Sequence, residues 1–333
     1  MAFRSERINI LFRFDTSSYD GLGHAQRCVE FKKYLNRKKF NIFFCTNNNI
    51  LKILNVDKKN QILKHKKETE NNFLLRLSKI KGKKVLFIDK NYDYTSGIIN
   101  LINPSFEKII FYQNFSKGIQ NNNIIIDPLP SLDKKKNLKI KQIQTIKYYK
   151  GIKYLIFPNR KLVKKKENYL VISLGASDPN QISIKILQYL KKIKWKGKTI
   201  LLIGEFFKFK KKIRKIKLPK NIKIRIFKFR YLLKASLAII SPGVTAYELI
   251  KNKVFALYIS HSAKHFNLGH FLEKKFYVSK NLDVYKNIKF NKFKSQLLYY
   301  WSRKDFKNKN FAKYNISNES YKRIVKIILN EKK

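Results

Sequence analysis

Four loops in this 333-residue chain carry residue types and spacings capable of chemistry. The first runs from Phe14 to His24 and holds Gly21 and Gly23 ahead of a helical pattern. Such glycines let backbone amides approach a phosphate, and a helix N-terminus favours an anion there. The dinucleotide fingerprint fails, because Gln26 takes the place of its third glycine, and no Gly-Lys-Ser/Thr of an NTPase loop occurs. His24 opens the helix where a ligand would lie. A histidine in that place can take a proton from water; a histidine that only caps the helix has the same spacing.

The second loop, Ser173 to Asn180, has Gly175, Ser177 and Pro179 before a helix. That suits a phosphate-facing turn, and an ordinary loop with Asp178 as N-cap suits it equally. In the third loop, Ser241 to Glu248, Thr245 and Glu248 have the spacing of a capping box. The other reading makes Gly243 and Thr245 amide and hydroxyl donors to a diphosphate, with Glu248 accepting from both ribose hydroxyls. The fourth stretch holds His261, His265 and His270, three of the five histidines. His261 and His265 would share a helical face, as zinc ligation requires, but there is no His-Glu-x-x-His and His270 breaks the register. A polar cleft wall is expected there, with no metal and no cofactor. The chain also lacks any Asp-x-Asp.

Positioning these loops requires strands that end just before them. Short apolar runs bounded by Gly, Asp or Asn recur at Ile8–Phe14, Phe40–Thr46, Val85–Ile88 and Lys108–Tyr112. A second series comprises Tyr169–Ser173, Thr199–Gly204, Ile222–Ile226, Leu237–Ser241 and Val254–Ile259. Helical patterns cover His24–Leu35, Gln181–Lys191 and Ala246–Asn252. Continuous apolar runs are what strands buried on both faces look like, and alternation with helices argues for parallel, doubly wound sheets. The stretch from Pro128 to about Glu167, with Pro128, Pro130, Pro158 and Lys134–Lys136, reads as a linker. The expected architecture is α/β: two Rossmann-like domains facing across a cleft, residues 1–158 and 159–333. An amphipathic helix over Ser320–Asn330 is free to pack on either half. In such sheets ligands bind beyond the carboxyl ends of the strands, where all four loops fall.

Composition narrows the classes. Lys and Arg number 75 against 21 Asp and Glu, a net charge of +54. The lysines are spread through every segment with much Ile and Asn, which a biased genome produces without any polyanion partner; only a localised basic stripe would argue otherwise. No nucleic-acid recognition signature is present, so no nucleic-acid partner is expected. Two cysteines, Cys28 and Cys45, exclude a disulfide framework. The opening residues are interrupted by charge, and no apolar run approaches the ~20 residues of a membrane span. A cytoplasmic, soluble protein is expected, able at most to rest loosely on anionic lipid.

The run LFRFDTSSYDGLGHAQRC resembles the N-terminal signature of the UDP-sugar hydrolases of pseudaminic acid biosynthesis. Arg13, Asp15, Gly21, Gly23, His24 and Arg27 stand at its positions. The resemblance continues, in order, at GIKYLIFPNR, ISLGASDPNQIS and IISPGVTAYEL. It implies the two-domain glycosyltransferase-B fold and inverting hydrolysis of UDP-2,4-diacetamido-2,4,6-trideoxy-β-L-altropyranose. It further implies His24 as general base on water, with Asp15 also catalytic. Arg13, Gly21, Gly23, Arg27, Tyr92, Lys264 and His265 are the implied sugar-side contacts. Gly175, Ser177, Ser241, Gly243, Thr245 and Glu248 are implied to hold UDP. Two places depart from the family: Asp89-Lys90-Asn91-Tyr92 replaces an Asp-His-Tyr, and Lys264-His265 replaces an Asn-Gln. Such chemistry is coherent with a single base, since UDP leaves without a proton if its charge is stabilised. A glycosyltransferase using the same base on an acceptor hydroxyl is the second reading, and a basic nucleic-acid binder the third.

Overall fold

The computed structural model describes residues 7–17, 22–48, 56–120, 122–129, 146–158, 163, 165–303 and 319–330. The chain divides into two compact units, residues 1–158 with 317–333, and residues 159–316.

In the first unit, seven parallel strands are ordered β3-β2-β1-β4-β5-β6-β7. They are β1 (Ile8–Arg13), β2 (Phe40–Thr46), β3 (Gln61–Leu63), β4 (Lys84–Ile88), β5 (Lys108–Tyr112), β6 (Ile124–Asp127) and β7 (Lys147–Lys150). Helices α1 (Gly23–Lys32), α2 (Glu70–Ser78) and α3 (Ser96–Ile102) cross between strands. The central strands are buried on both faces, as their apolar runs require. On one face Phe12, Phe31, Phe44, Phe87 and Tyr112 interlock, with Phe12 and Phe87 ring centroids 5.3 Å apart. Phe73, Leu77, Ile99 and Phe111 fill the other face.

The second unit has six parallel strands ordered β10-β9-β8-β11-β12-β13. They are β8 (Glu167–Ser173), β9 (Thr199–Ile203), β10 (Ile222–Ile226), β11 (Ala235–Ile240), β12 (Phe255–Ser260) and β13 (Ser279–Val284). Its helices are α4 (Ile182–Lys192), α5 (Lys210–Lys215), α6 (Phe229–Lys234), α7 (Val244–Lys251), α8 (Ala263–Phe276) and α9 (Phe290–Ser302).

Two expectations are corrected. Part of the proposed linker is structural: β7 pairs with β6 from Ile124↔Lys147 to Asp127↔Lys150, and Tyr154 and Ile156 enter the first core. Residues 130–145 lie outside the described set. The last helix, α10 (Ser320–Leu329), belongs to the first unit and not to a 159–333 domain. Its apolar stripe supplies Tyr321, Ile324 and Ile328 to the first core, with Tyr321 stacked on Tyr34 at 3.7 Å between centroids. Lys108 Nζ donates to the carbonyls of Ile327 and Ile328, serving the otherwise unpaired helix C-terminus.

Candidate functional site

Each strand order reverses direction once. In the first sheet the chain winds outward from β1 through β2 to β3, then returns to β4 on the other side of β1. The loops after β1 and β4 therefore diverge and leave a crevice beyond their carboxyl ends. The register sets Arg13 beside Ile88, and Asp89 N–H donates to Arg13 O at 2.9 Å. Asp89 is thereby carried to the start of α1, 65 residues away in sequence from His24.

There His24 Nδ1 lies 2.6 Å from Asp89 Oδ1. Arg27, one turn further along α1, grips the same carboxylate with Nε on Oδ2 at 2.9 Å and Nη2 on Oδ1 at 2.7 Å. Arg27 Nη2 is also 2.9 Å from His24 Nδ1. The ionised Asp89 carboxylate has no hydrogen to give, and a 2.6 Å approach of Nδ1 needs one between the two atoms, which puts the imidazole hydrogen on Nδ1 and leaves Arg27 donating to the carboxylate. Nε2 then carries the lone pair and points away from Asp89, where its one partner among the described residues is a long contact from Asn91 Nδ2 at 3.5 Å, at the exposed end of the β4 loop. Asp89 is fully buried while the His24 side chain keeps 15% exposure. Burial opposes the Asp89 charge, but Arg27 and His24 outweigh it and hold the carboxyl below its ordinary value. His24 is not a helix cap. Leu22 occupies the N-cap, so the cap position belongs to another residue, and the His24 ring is committed to Asp89.

Asp15 takes another place. Arg13 is fully buried at the end of β1, with Nη1 on Asp15 Oδ1 at 2.5 Å and Nε on Glu70 Oε1 at 2.8 Å. Lys90 Nζ joins both carboxylates at 2.6 Å, and Tyr94 Oη donates to Glu70 at 2.9 Å. Two cations and two anions balance, as buried charges must. Burial is again outweighed by Arg13 and Lys90, which hold Asp15 and Glu70 below their ordinary values. This cluster ties the ends of β1 and β4 to the first turn of α2. Asp89, not Asp15, is the carboxylate paired with His24, and Arg13 and Arg27 are turned inward on carboxylates instead of outward to a ligand. Gly23, the first residue of α1, and Tyr92, on the loop after β4, are exposed, and Gly21 lies outside the described residues.

The depressed carboxyls make a prediction about stability. Asp15, Glu70 and Asp89 are more acidic folded than unfolded, so their contribution is complete above about pH 4–4.5, where unfolded carboxyls ionise. It is lost as pH falls through the lower folded values. The melting temperature should hold from pH 7 to about 5 and fall steeply below about 4. Glu70→Gln should cost roughly 3–5 kcal/mol at neutral pH by leaving Arg13 short of a charge, and should shrink the acid-induced drop. Calorimetry from pH 7 to 2.5 checks this; parallel curves for the two proteins would refute it.

In the second sheet the reversal falls between β8 and β11, so the loops 174–181 and 241–243 flank the crevice. The 174–181 loop is held from three sides. Gly204, after β9, lies so close beneath it that a Cβ there would meet Ala176 Cα at 2.4 Å. Phe206 N–H donates to Ala176 O at 3.1 Å. His261 Nε2–H donates to Leu174 O at 3.1 Å, and its Nδ1 accepts from Asn180 Nδ2 at 3.3 Å. Asp178 accepts from the amides of Ile182 and Ser183 at 2.9 Å each, so it does serve the start of α4. Gly175 has φ +88°, which a side chain would strain, and it is exposed, while Ser177 is buried.

The capping box does not form. Helix α7 begins at Val244, Gly243 is the N-cap, and among the described residues no side chain caps it. Thr245 is thus already inside the helix, and its first-turn amides are not closed by a Thr-x-x-Glu pair. Ser241 Oγ, at the carboxyl end of β11, is buried and has no hydrogen-bond partner among the described residues. Glu248 lies one turn into α7 and is 3% exposed.

The histidine trio does not converge on a metal. Both His261 nitrogens hold loops. His265 Nδ1 lies 3.0 Å from Ser262 Oγ, which also caps α8, and His270 is exposed along that helix. Burial, with His261 and Lys264 adding to it, pushes His265 down to about 4. Lys264 is exposed in the first turn of α8. Among the described residues no group of three or more His, Cys, Asp or Glu is placed to hold a metal ion, and no helix is long and apolar enough to cross a membrane.

No family model matches the chain. An uncharacterized protein of Methanocaldococcus jannaschii is 24% identical over 257 residues, 71% of this chain and 52% of that protein. The chain thus spans about half the length of this curated relative. Among solved structures, the glycosyltransferase of kitacinnamycin superposes with a TM-score of 0.61 at 10% identity, covering 98% of this chain and 99% of that one. UGT89C1 of Arabidopsis thaliana, solved with quercetin, gives 0.61 at 10% identity and the same coverages. MurG of Acinetobacter baumannii gives 0.57 at 12% identity, over 97% and 99%. The two parallel α/β sheets, each reversing once, are the glycosyltransferase-B fold.

Proposed function

We propose that this chain cleaves a UDP-linked acetamido-deoxy sugar at the anomeric carbon, releasing UDP, with His24 as general base. The observation that carries the proposal is the His24–Asp89 pair at the first sheet's reversal. A buried carboxylate fixes the tautomer, and the nitrogen that bears the lone pair stands at the more exposed side with only a long contact from Asn91, the arrangement a base needs to deprotonate an incoming hydroxyl. In the same proposal the second unit holds UDP. The α7 N-terminus presents amides without a side-chain cap, Ser241 Oγ is an unspent hydroxyl beside it, and anions are favoured at such a terminus. Lys264 is a cationic supplement, and Gly175 and Ser177 belong to the braced loop opposite.

Inverting hydrolysis of UDP-2,4-diacetamido-2,4,6-trideoxy-β-L-altropyranose is the specific reading, and it rests on the resemblance of the four motifs. Transfer to an acceptor hydroxyl is favoured by the shared fold with glycosyltransferases, and the base serves either nucleophile. Incubation with a panel of UDP-sugars, following UDP with and without acceptor alcohols, tests both. Release without acceptor supports hydrolysis; release only with acceptor supports transfer; none from any UDP-sugar overturns the proposal.

Glu248 is proposed to accept from the ribose hydroxyls. Losing a charge-assisted hydrogen bond costs about 1.5–3 kcal/mol, so Glu248→Gln should weaken UDP binding by roughly 10- to 100-fold. Titration calorimetry with UDP measures it, and unchanged affinity would remove Glu248 from the site.

A further inference from the structure

The second unit carries a basic surface that the proposed catalysis does not use. Between residues 208 and 230, twelve of 23 residues are Lys or Arg, against 75 of 333 in the whole chain. All twelve are exposed. No acidic residue occurs from 206 to 247, and among the described residues none of the twelve forms an ion pair. The segment comprises α5, the edge strand β10 and the start of α6. Dispersed lysines from a biased composition would not concentrate in this way.

Guarding an edge strand against pairing explains Lys223 and Arg225 on β10, but not the run through α5. That helix is fastened by Ile213, which is 1% exposed in the second core, so its lysines are presented on an ordered element. Apolar side chains are interleaved with the charges. Ile226, at the end of β10, is 68% exposed between Arg225 and Lys228, and Phe227 and Phe229 beside it are half-buried.

We infer that this face docks on an anionic phospholipid surface. Three features separate this partner from a nucleic acid. Lysine dominates over arginine, and lysine is a point charge suited to a smeared negative surface, whereas arginine's planar fork suits phosphodiester and base edges. The exposed apolar residue is an aliphatic one, which enters the acyl boundary but gives a base nothing to stack on. The aromatic rings pair with each other, Phe227 against Phe229 edge-on at 5.5 Å, instead of lying open as platforms. Attachment is peripheral, in keeping with the lack of a spanning helix among the described residues. The inference is independent of the proposed activity.

Flotation of the whole chain with phosphatidylcholine vesicles, with and without 30% phosphatidylglycerol, at about 0.15 M salt tests it. Each basic residue near such a surface contributes roughly fivefold in affinity. Replacing Lys210, Lys211, Arg214, Lys215 and Lys217 by Gln should reduce binding to anionic vesicles by about two orders of magnitude or more. An equal-charge control, Gln at Lys38, Lys39, Lys58, Lys59 and Lys66 of the first unit, should change it by less than about tenfold. A second set, Gln at Lys220, Lys223, Arg225 and Lys228, keeps the test decisive if the first variant unfolds. Ile226→Ser should weaken vesicle binding without altering duplex DNA or RNA binding. Equal losses in patch and control variants, no preference for anionic lipid, or tighter binding to nucleic acid than to vesicles at this salt would each overturn the inference.

Discussion

In His24→Ala, UDP release should fall by roughly 10²–10⁴-fold, the usual loss on removing a positioned base, while UDP affinity stays within about twofold. The separation follows from where the groups lie. His24 is on the first sheet's crevice, and the loops proposed for UDP are on the second sheet. The substitution should also leave folding intact, because Asp89 keeps both bonds from Arg27. Steady-state kinetics with UDP calorimetry measures the two effects separately. A folded variant that retains activity would remove His24 from the chemistry.

Asp89→Asn should cost nearly as much by a different route. An amide in place of the carboxylate can present N–H to His24 Nδ1, which moves the imidazole hydrogen to Nε2 and removes the outward lone pair. A loss of roughly 10²–10⁴ in kcat with little change in KM is expected from a wrong tautomer. The same change leaves Arg27, 6% exposed, without its anion, so a lower melting temperature accompanies it. Stability alone would not move the tautomer. Long-range proton–nitrogen NMR of His24 should show Nδ1–H in the wild type and Nε2–H in the variant. Nε2–H in the wild type would contradict the geometry.

The central strands and both reversal loops were legible because parallel strands buried on two faces must be apolar throughout. The edge strand Ile222–Ile226 was legible too, from its strict alternation of isoleucine with charge, but the other three edge strands were not. Gln61–Leu63 is three residues long, Lys147–Lys150 is two tyrosines between two lysines at a sheet edge, and Ser279–Val284 is interrupted by Lys280, Asn281 and Asp283. The four-residue Ile124–Asp127 was too short to stand out. His24 was legible from its place at a helix start, but its carboxylate was not. Asp15 was nine residues away and Asp89 sixty-five, and only the β1–β4 register decides between them. Thr245 and Glu248 had the spacing of a capping box, yet the helix starts at Val244, so that local pattern misassigned the cap. The basic face between 208 and 230 is visible in sequence as a run of lysines and arginines; only the structure adds that every one is exposed, on α5, the edge strand β10, the start of α6 and the short loops that join them.

The central claim, that a single His24 base delivers a hydroxyl to the anomeric carbon as UDP leaves, is tested most directly by proton NMR of the first turnovers on a UDP-linked acetamido-deoxy sugar. The account predicts free UDP together with a sugar product whose anomeric configuration is inverted at the earliest time points, before mutarotation. Retention of configuration, which needs a covalent or ion-paired intermediate that one base does not provide, or the absence of any cleavage, would contradict it.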